Sequence, residues 1–96
     1  MKQYRISWSP LAEESYLNTL SQILEKWTIN EAEDFEAKVE GLLEKLKTQK
    51  HLCPPSGKQS GLRRCVIAPQ TSLVYQIKSE VIELVAFFDN RSDHQY

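Results

Sequence analysis

Residues 62–88 read LRRCVIAPQTSLVYQIKSEVIELVAFF, and the way this stretch divides decides the fold. Three runs rich in β-branched and aromatic residues, Leu62–Ala68, Thr71–Lys78 and Val81–Phe88, are parted only by Pro69-Gln70 and Ser79-Glu80. Connections that short join strands antiparallel, so the stretch predicts a three-stranded meander. Alternation is poor in the last run. A segment so continuously apolar suits a central strand covered on both faces, with something outside the meander supplying one cover.

The cover lies upstream. Residues 51–61, HLCPPSGKQSG, carry loop punctuation. Before them, Ala32, Phe35, Val39, Leu42 and Leu46 share a seam at helical spacing, entered through Thr28 or Asn30, each with a Glu three residues on to complete a capping box. Further upstream, Ser9-Pro10 reads as a helix cap followed by proline at the first helical position, and Leu17, Leu20, Leu24 and Trp27 recur at three-and-four spacing. The link between the two helices is short enough to force an antiparallel hairpin. Tyr4, Ile6 and Trp8 alternate with Arg5 and Ser7 as a first strand. The expected order is β-α-α-β-β-β. This is an α+β fold, a helical hairpin packed on one antiparallel sheet, in a single domain over residues 1–96.

Composition sets the class. A chain of 96 residues, 41% apolar and 26% charged, can build one modest core and is neither disordered nor fibrous in character. Met1-Lys-Gln-Tyr-Arg leads straight into alternation, and no apolar stretch approaches the ~20 residues of a membrane span, so a cytoplasmic protein without membrane contact is expected. In a reducing cytosol Cys53 and Cys65 are expected to be free thiols. With His51 and His94 they show no zinc-ligand spacing, so neither metal nor cofactor is expected. The net charge of −1 hides an uneven distribution: residues 31–44 carry six acids against Lys38, while 45–64 carry six bases and no acid. Acids early and lysines late on one helix suit its dipole, which accounts for Lys45, Lys47 and Lys50 but not for Lys58, Arg63 and Arg64. Those three suggest a local anion-binding surface.

The final residues, LVAFFDNRSDHQY (84–96), end an apolar run in Asp89, Asn90, Arg91, Asp93, His94 and Tyr96, side chains that bind phosphate, move protons or pair with charge. They form either the solvated end of a strand, with an Asx-type turn at Asp89, or a site. Arg63 and Arg64 are likewise either solubilising charges, one of them pairing with Glu83, or phosphate ligands. Neighbours on one strand point to opposite faces, so only one of the two can address a shared site.

The ordered set of Ser-Pro-Leu-Ala at residues 9–12, Gly61-Leu62-Arg63-Arg64, Leu73-Val74-Tyr75 and Phe87-Phe88-Asp89-Asn90-Arg91 resembles the RelE/ParE superfamily of bacterial toxins over essentially the whole chain. The resemblance implies the toxin of a type II toxin-antitoxin module, held silent by a cognate antitoxin. Two activities occur on that fold: RelE-like cleavage of messenger RNA on the ribosome, and ParE-like poisoning of DNA gyrase. Cleavage by the RNA's own 2′-hydroxyl needs a base, an acid and cations to stabilise charge on the phosphate. Carried over by position, the resemblance gives Arg63, Arg91 and Tyr96 as the catalytic set if the chain is a nuclease, and Lys58, Arg63, Arg64 and Arg91 as binding residues, with Arg63 and Arg91 converging on one hollow. Two positions depart: the nucleases usually carry arginine where this chain has Ser72, and a second strand-two cation where it has Cys65. The depleted cation set favours the ParE-like side, with RelE-like cleavage and a non-toxic remnant that keeps only antitoxin binding as the alternatives.

Overall fold

The computed structural model describes residues 3–91. Ser9 ends β1 (Arg5–Trp8) and begins α1 (Pro10–Lys26): its backbone is extended and its Oγ accepts the Ala12 N–H at 3.0 Å. Proline at the first helical position loses no hydrogen bond there. Of the two candidate caps for α2 (Ile29–Leu46), Thr28 serves, its hydroxyl accepting the Glu31 N–H. Only Trp27 and Thr28 separate the helices, and the hairpin follows.

The meander forms as read. β2 (Leu62–Ala68), β3 (Thr71–Lys78) and β4 (Val81–Asp89) pair antiparallel in sequence order, and Ser79, with φ of 55°, supplies the tight turn between the last two. The full sheet order is β1-β4-β3-β2. β1 runs parallel to β4, from Arg5 opposite Val81 to Trp8 opposite Leu84, so the sheet is mixed where antiparallel pairing throughout was expected. Short turns force antiparallel pairing only between consecutive strands. β1 joins through the helical crossover, which imposes no such constraint.

Both helices lie on one face. Phe35, Val39 and Leu46 of α2 and Ala12 of α1 are buried with Leu73, Tyr75, Ile82, Leu84 and Phe87 of the sheet. Trp8, Tyr16 and Phe87 contribute an aromatic cluster with centroids 5.1–5.7 Å apart. Burying each large apolar side chain contributes roughly 1.5–3 kcal/mol, which is what fixes the hairpin to the sheet.

The irregular pattern of β4 has a local cause. Val74 pairs with Ala86 but Tyr75 pairs with Leu84, so Val85 is an extra residue. This β-bulge reverses parity: Ile82 and Leu84 before it, and Phe87 after it, all join the helix-side core. Val74 and Ala86, on the other face, are buried as well. β1 ends opposite Leu84, leaving the backbone of the bulge without a strand beside it. Two serines of the helical layer fill that place. Ser9 Oγ donates to the Val85 carbonyl at 2.9 Å, and Ser15 Oγ accepts the Phe87 N–H at 2.9 Å.

The loop before β2 is stitched to the sheet edge. The Arg64 N–H donates to the Pro54 carbonyl at 3.0 Å, the Ser56 N–H to the Leu62 carbonyl at 2.8 Å, and the Tyr75 hydroxyl to the Lys50 carbonyl at 2.6 Å. This return lays Cys53 beside core-facing Cys65 with Cα atoms 5.3 Å apart, and the two are joined in a disulfide. The expectation of free thiols is therefore corrected. It weighed the compartment and could not see that the loop doubles back to bring the pair within bonding reach.

Candidate functional site

The register of β2 against β3 sorts the two arginines. Arg63 lies opposite Tyr75 and shares its face with Cys65 and Leu73, the helix side. Its Nη1 donates to the Cys53 carbonyl at 2.6 Å, so the guanidinium is turned under the loop. Burial raises the Tyr75 phenol pKa, opposed by a hydrogen bond from the Cys53 backbone and by the Arg63 charge. Arg64, opposite Val74, is on the face away from the helices.

On that open face a residue within β2, one at the start of β3 and one just after β4 meet. Arg64 Nε donates to Ser72 Oγ at 3.2 Å and Nη2 to Asn90 Oδ1 at 2.8 Å, while Ser72 Oγ donates to the same Asn90 oxygen at 2.5 Å. Ser72 is fully buried, and Phe88, its register partner on β4, lies beneath the guanidinium with its ring centroid 5.5 Å from Cζ. Asn90 is itself anchored to the β2–β3 turn, its N–H donating to the Gln70 carbonyl at 2.7 Å and its Nδ2 to the Pro69 carbonyl at 3.2 Å. The result is a guanidinium held over the Phe88 ring and pinned at two donors. Nearby, Glu83 pairs with Gln76 and Lys78 and not with either arginine, and these two contacts, the Gln76 amide first, lower its pKa.

Arg91 is at the end of β4. Its N–H and Nε donate to Asp89 Oδ1 at 2.8 and 3.1 Å, and Nη2 to Oδ2 at 2.8 Å, the Asx-type turn that the sequence allowed. This clasp holds the Asp89 carboxyl down at about 2. The pair borders a groove along α1 that Ser15, Thr19, Gln22 and Lys26 also line. Lys58 is exposed in the loop, its N–H donating to Ser56 Oγ at 3.2 Å. Tyr96 and His94 lie outside the described residues.

Arg63 and Arg91 are not brought together: one sits opposite Tyr75 under the loop, the other follows Asp89, which pairs with Thr71 at the start of β3. The residues that do converge are Arg64, Ser72, Phe88 and Asn90. The sequence offers Asn90 only as one of the polar residues that end the last strand, without linking it to Arg64, and Ser72 only as a missing arginine. The signal that could have found them is strand parity, which places Arg64, Ser72 and Phe88 on one face once the meander is drawn. Among the described residues, no group of three or more His, Cys, Asp or Glu side chains could hold a metal ion, and no helix is long and apolar enough to cross a membrane.

No protein-family model matches the chain, and no curated protein matches it in sequence. Solved structures do match in shape. A chain of the chromosomal ParDE TA system from P. aeruginosa superposes with a TM-score of 0.75 at 10% identity, covering 91% of this chain and 96% of that one. A copper-bound mutant toxin from Helicobacter pylori gives 0.68 at 18% identity over 91% and 94% of the two chains. The YoeB dimer from Staphylococcus aureus gives 0.65 at 17% identity over 94% and 99%. The chain thus has the fold of toxins from toxin-antitoxin systems, over nearly its whole length and that of each match.

Proposed function

We propose that this chain is the toxin of a type II toxin-antitoxin module, ParE-like, arresting growth in the bacterial cytoplasm by binding DNA gyrase and neutralised by a cognate antitoxin. The fold supports the module. Similar solved structures include a chain of a ParDE system and the E. coli DinJ-YafQ toxin-antitoxin complex, which favours an antitoxin partner here. The observation that carries the ParE-like choice is the state of the arginines. RNA cleavage needs cations aimed at a phosphate that gathers charge, whereas Arg63 is turned to the Cys53 carbonyl, Arg64 is pinned by Ser72 and Asn90, and Arg91 is clasped by Asp89. A rigid, pre-organised guanidinium beside an aromatic ring suits a protein-binding surface. On this reading Arg64 and Arg91 make the target contact, with Lys58 and Arg63 at its margin.

RelE-like messenger cleavage is the second reading, favoured by the placement of Arg64 on the open sheet face. On that reading Arg64 would stabilise charge on the phosphate, with Arg91 and Tyr96 joining it as the resemblance implies. Inducible expression in a growing bacterium separates the two. The proposal expects arrest with filamentation and double-strand breaks; arrest with messenger cut at codon boundaries supports the nuclease, and unhindered growth supports a remnant that keeps only antitoxin binding.

A further inference from the structure

Residues 51–61 are anchored at both ends and, between them, by a single buried side chain. Upstream, the Lys47 carbonyl accepts the Tyr4 N–H at 2.8 Å and the Lys50 carbonyl accepts the Tyr75 hydroxyl at 2.6 Å. Downstream, Leu62 is buried at the start of β2. Of residues 51–61, all of them described, Cys53 alone is buried; Ser56 is half-buried and the other nine are exposed. The segment gives the core no other side chain, and Cys53 is held there by its bond to Cys65.

What the loop covers depends on that attachment. β2 is an outer strand of the sheet, and the loop occupies its free edge: the Pro54 carbonyl takes the Arg64 N–H, the Ser56 N–H reaches the Leu62 carbonyl, and Pro55 bridges to Arg63. The Arg63 guanidinium is held by the carbonyl of Cys53 itself. Hydrogen bonds at a solvent-facing edge exchange readily for bonds to water, so they do not by themselves fix a segment that buries nothing. Gly61, with φ of 86°, turns the loop into β2 and lets it swing there at little steric cost. A bond between an exposed loop and a sheet edge is reached by local opening, whereas one between two core elements waits for global unfolding.

We propose that Cys53 and Cys65 form a thiol–disulfide switch: the bonded pair closes residues 51–61 over β2 and sequesters Arg63, and the reduced pair opens the segment and presents Arg63 as a surface cation. The co-reactant is a dithiol. Its thiolate attacks the sulfur of Cys53, the more exposed of the two at 8% against 3%, forming a mixed disulfide and releasing Cys65 as a thiolate that takes up a proton. The second thiol of the reductant then displaces Cys53. Two electrons and two protons end on the pair, and the reductant leaves as its own disulfide. Cys53 and Cys65 are the two cysteines of the chain, so reoxidation within it restores the same bond. Arg64 and Arg91 have their side-chain partners outside the loop, at Ser72, Asn90 and Asp89, so the switch does not rest on which target the chain addresses.

The full chain is equilibrated without denaturant in mixtures of reduced and oxidised dithiothreitol, then followed by amide chemical shifts and by phenylglyoxal labelling of arginines read by mass spectrometry. On reduction, the amides of residues 51–61 are expected to move toward random-coil positions while those of β3 and β4 stay in place. Labelling of Arg63 is expected to become several-fold faster and that of Arg64 to stay unchanged, with both effects reversed on reoxidation. Cys53→Ser, a change in the loop that leaves Cys65 in the sheet, is expected to label like the reduced chain and to be indifferent to dithiothreitol. A bond that survives excess reductant overturns the proposal, as do unmoved loop amides or unchanged Arg63 labelling in the reduced chain. Loss of the native positions across β3 and β4 on reduction also overturns it, because the bond would then be a staple of the whole fold.

Discussion

At the scale of single residues, two serines show how little chemistry holds an irregular strand in place. Ser15 Oγ accepts the Phe87 N–H and donates back to the Leu11 carbonyl at 2.7 Å, so one hydroxyl ties α1 to the far side of the bulge. Ser15→Ala leaves a strand N–H without its partner, and chemical denaturation should show a loss of about 1–3 kcal/mol, more than alanine regains in helix propensity. An unchanged midpoint would mean that water satisfies Phe87. The Asp89–Arg91 clasp makes a separate prediction. A carboxyl depressed to about 2 in the folded chain favours the folded state above its unfolded value of about 3.9, and this contribution fades as pH falls toward 2. Arg91→Ala should return the Asp89 carboxyl, followed by NMR titration, to the ordinary aspartate range. If Asp89 still titrates near 2, its stabilising partner is some other group.

Among elements, the loop at residues 47–61 departs furthest from what its sequence suggests. Its Pro and Gly residues say loop, yet Pro54 and Ser56 hydrogen-bond along β2 and Cys53 is bonded to Cys65. Closing a ring of about this length is worth ~3 kcal/mol in the chain-entropy account, so a dithiol reductant, or Cys53→Ser with Cys65→Ser, should lower the unfolding free energy by about that much. Coincident melts of the oxidised and reduced forms would show that the bond does not constrain the chain. The contrast with the helices is instructive. Their caps, seams and connector were legible because each depends on neighbours within one or two turns, as at Ser9 and Thr28. Antiparallel pairing of β2, β3 and β4 was legible for the same reason. The parallel pairing of β1, the extra residue at Val85 and the disulfide depend on where distant segments land. Poor alternation over residues 81–88 comes from two-sided burial, as the sequence suggests, and also from the change of parity at Val85, which it does not announce.

For the whole molecule, the candidate site illustrates the same boundary between local and distant information. That Arg63 and Arg64 face opposite ways followed from strand geometry; which of them faces the open side required the register with β3. The partner that holds Arg64 is Asn90, 26 residues away at the end of another strand, and nothing in the local sequence of either announces the contact. Arg64→Ala should leave the fold intact, as the side chain is only partly buried, while abolishing growth arrest if the open face meets the target. Retained toxicity in a folded Arg64→Ala variant would move the target contact elsewhere, with Arg91→Ala as the next variant to measure. An acidic helical hairpin and a basic remainder give the chain two regions of opposite character.

The most direct measurement mixes the purified chain with DNA gyrase and supercoiled plasmid, and in parallel with ribosomes translating a defined messenger. The account predicts accumulation of gyrase-linked cleaved plasmid, lost in Arg64→Ala, with the messenger left whole. Messenger cut at codon boundaries while gyrase works undisturbed would contradict it.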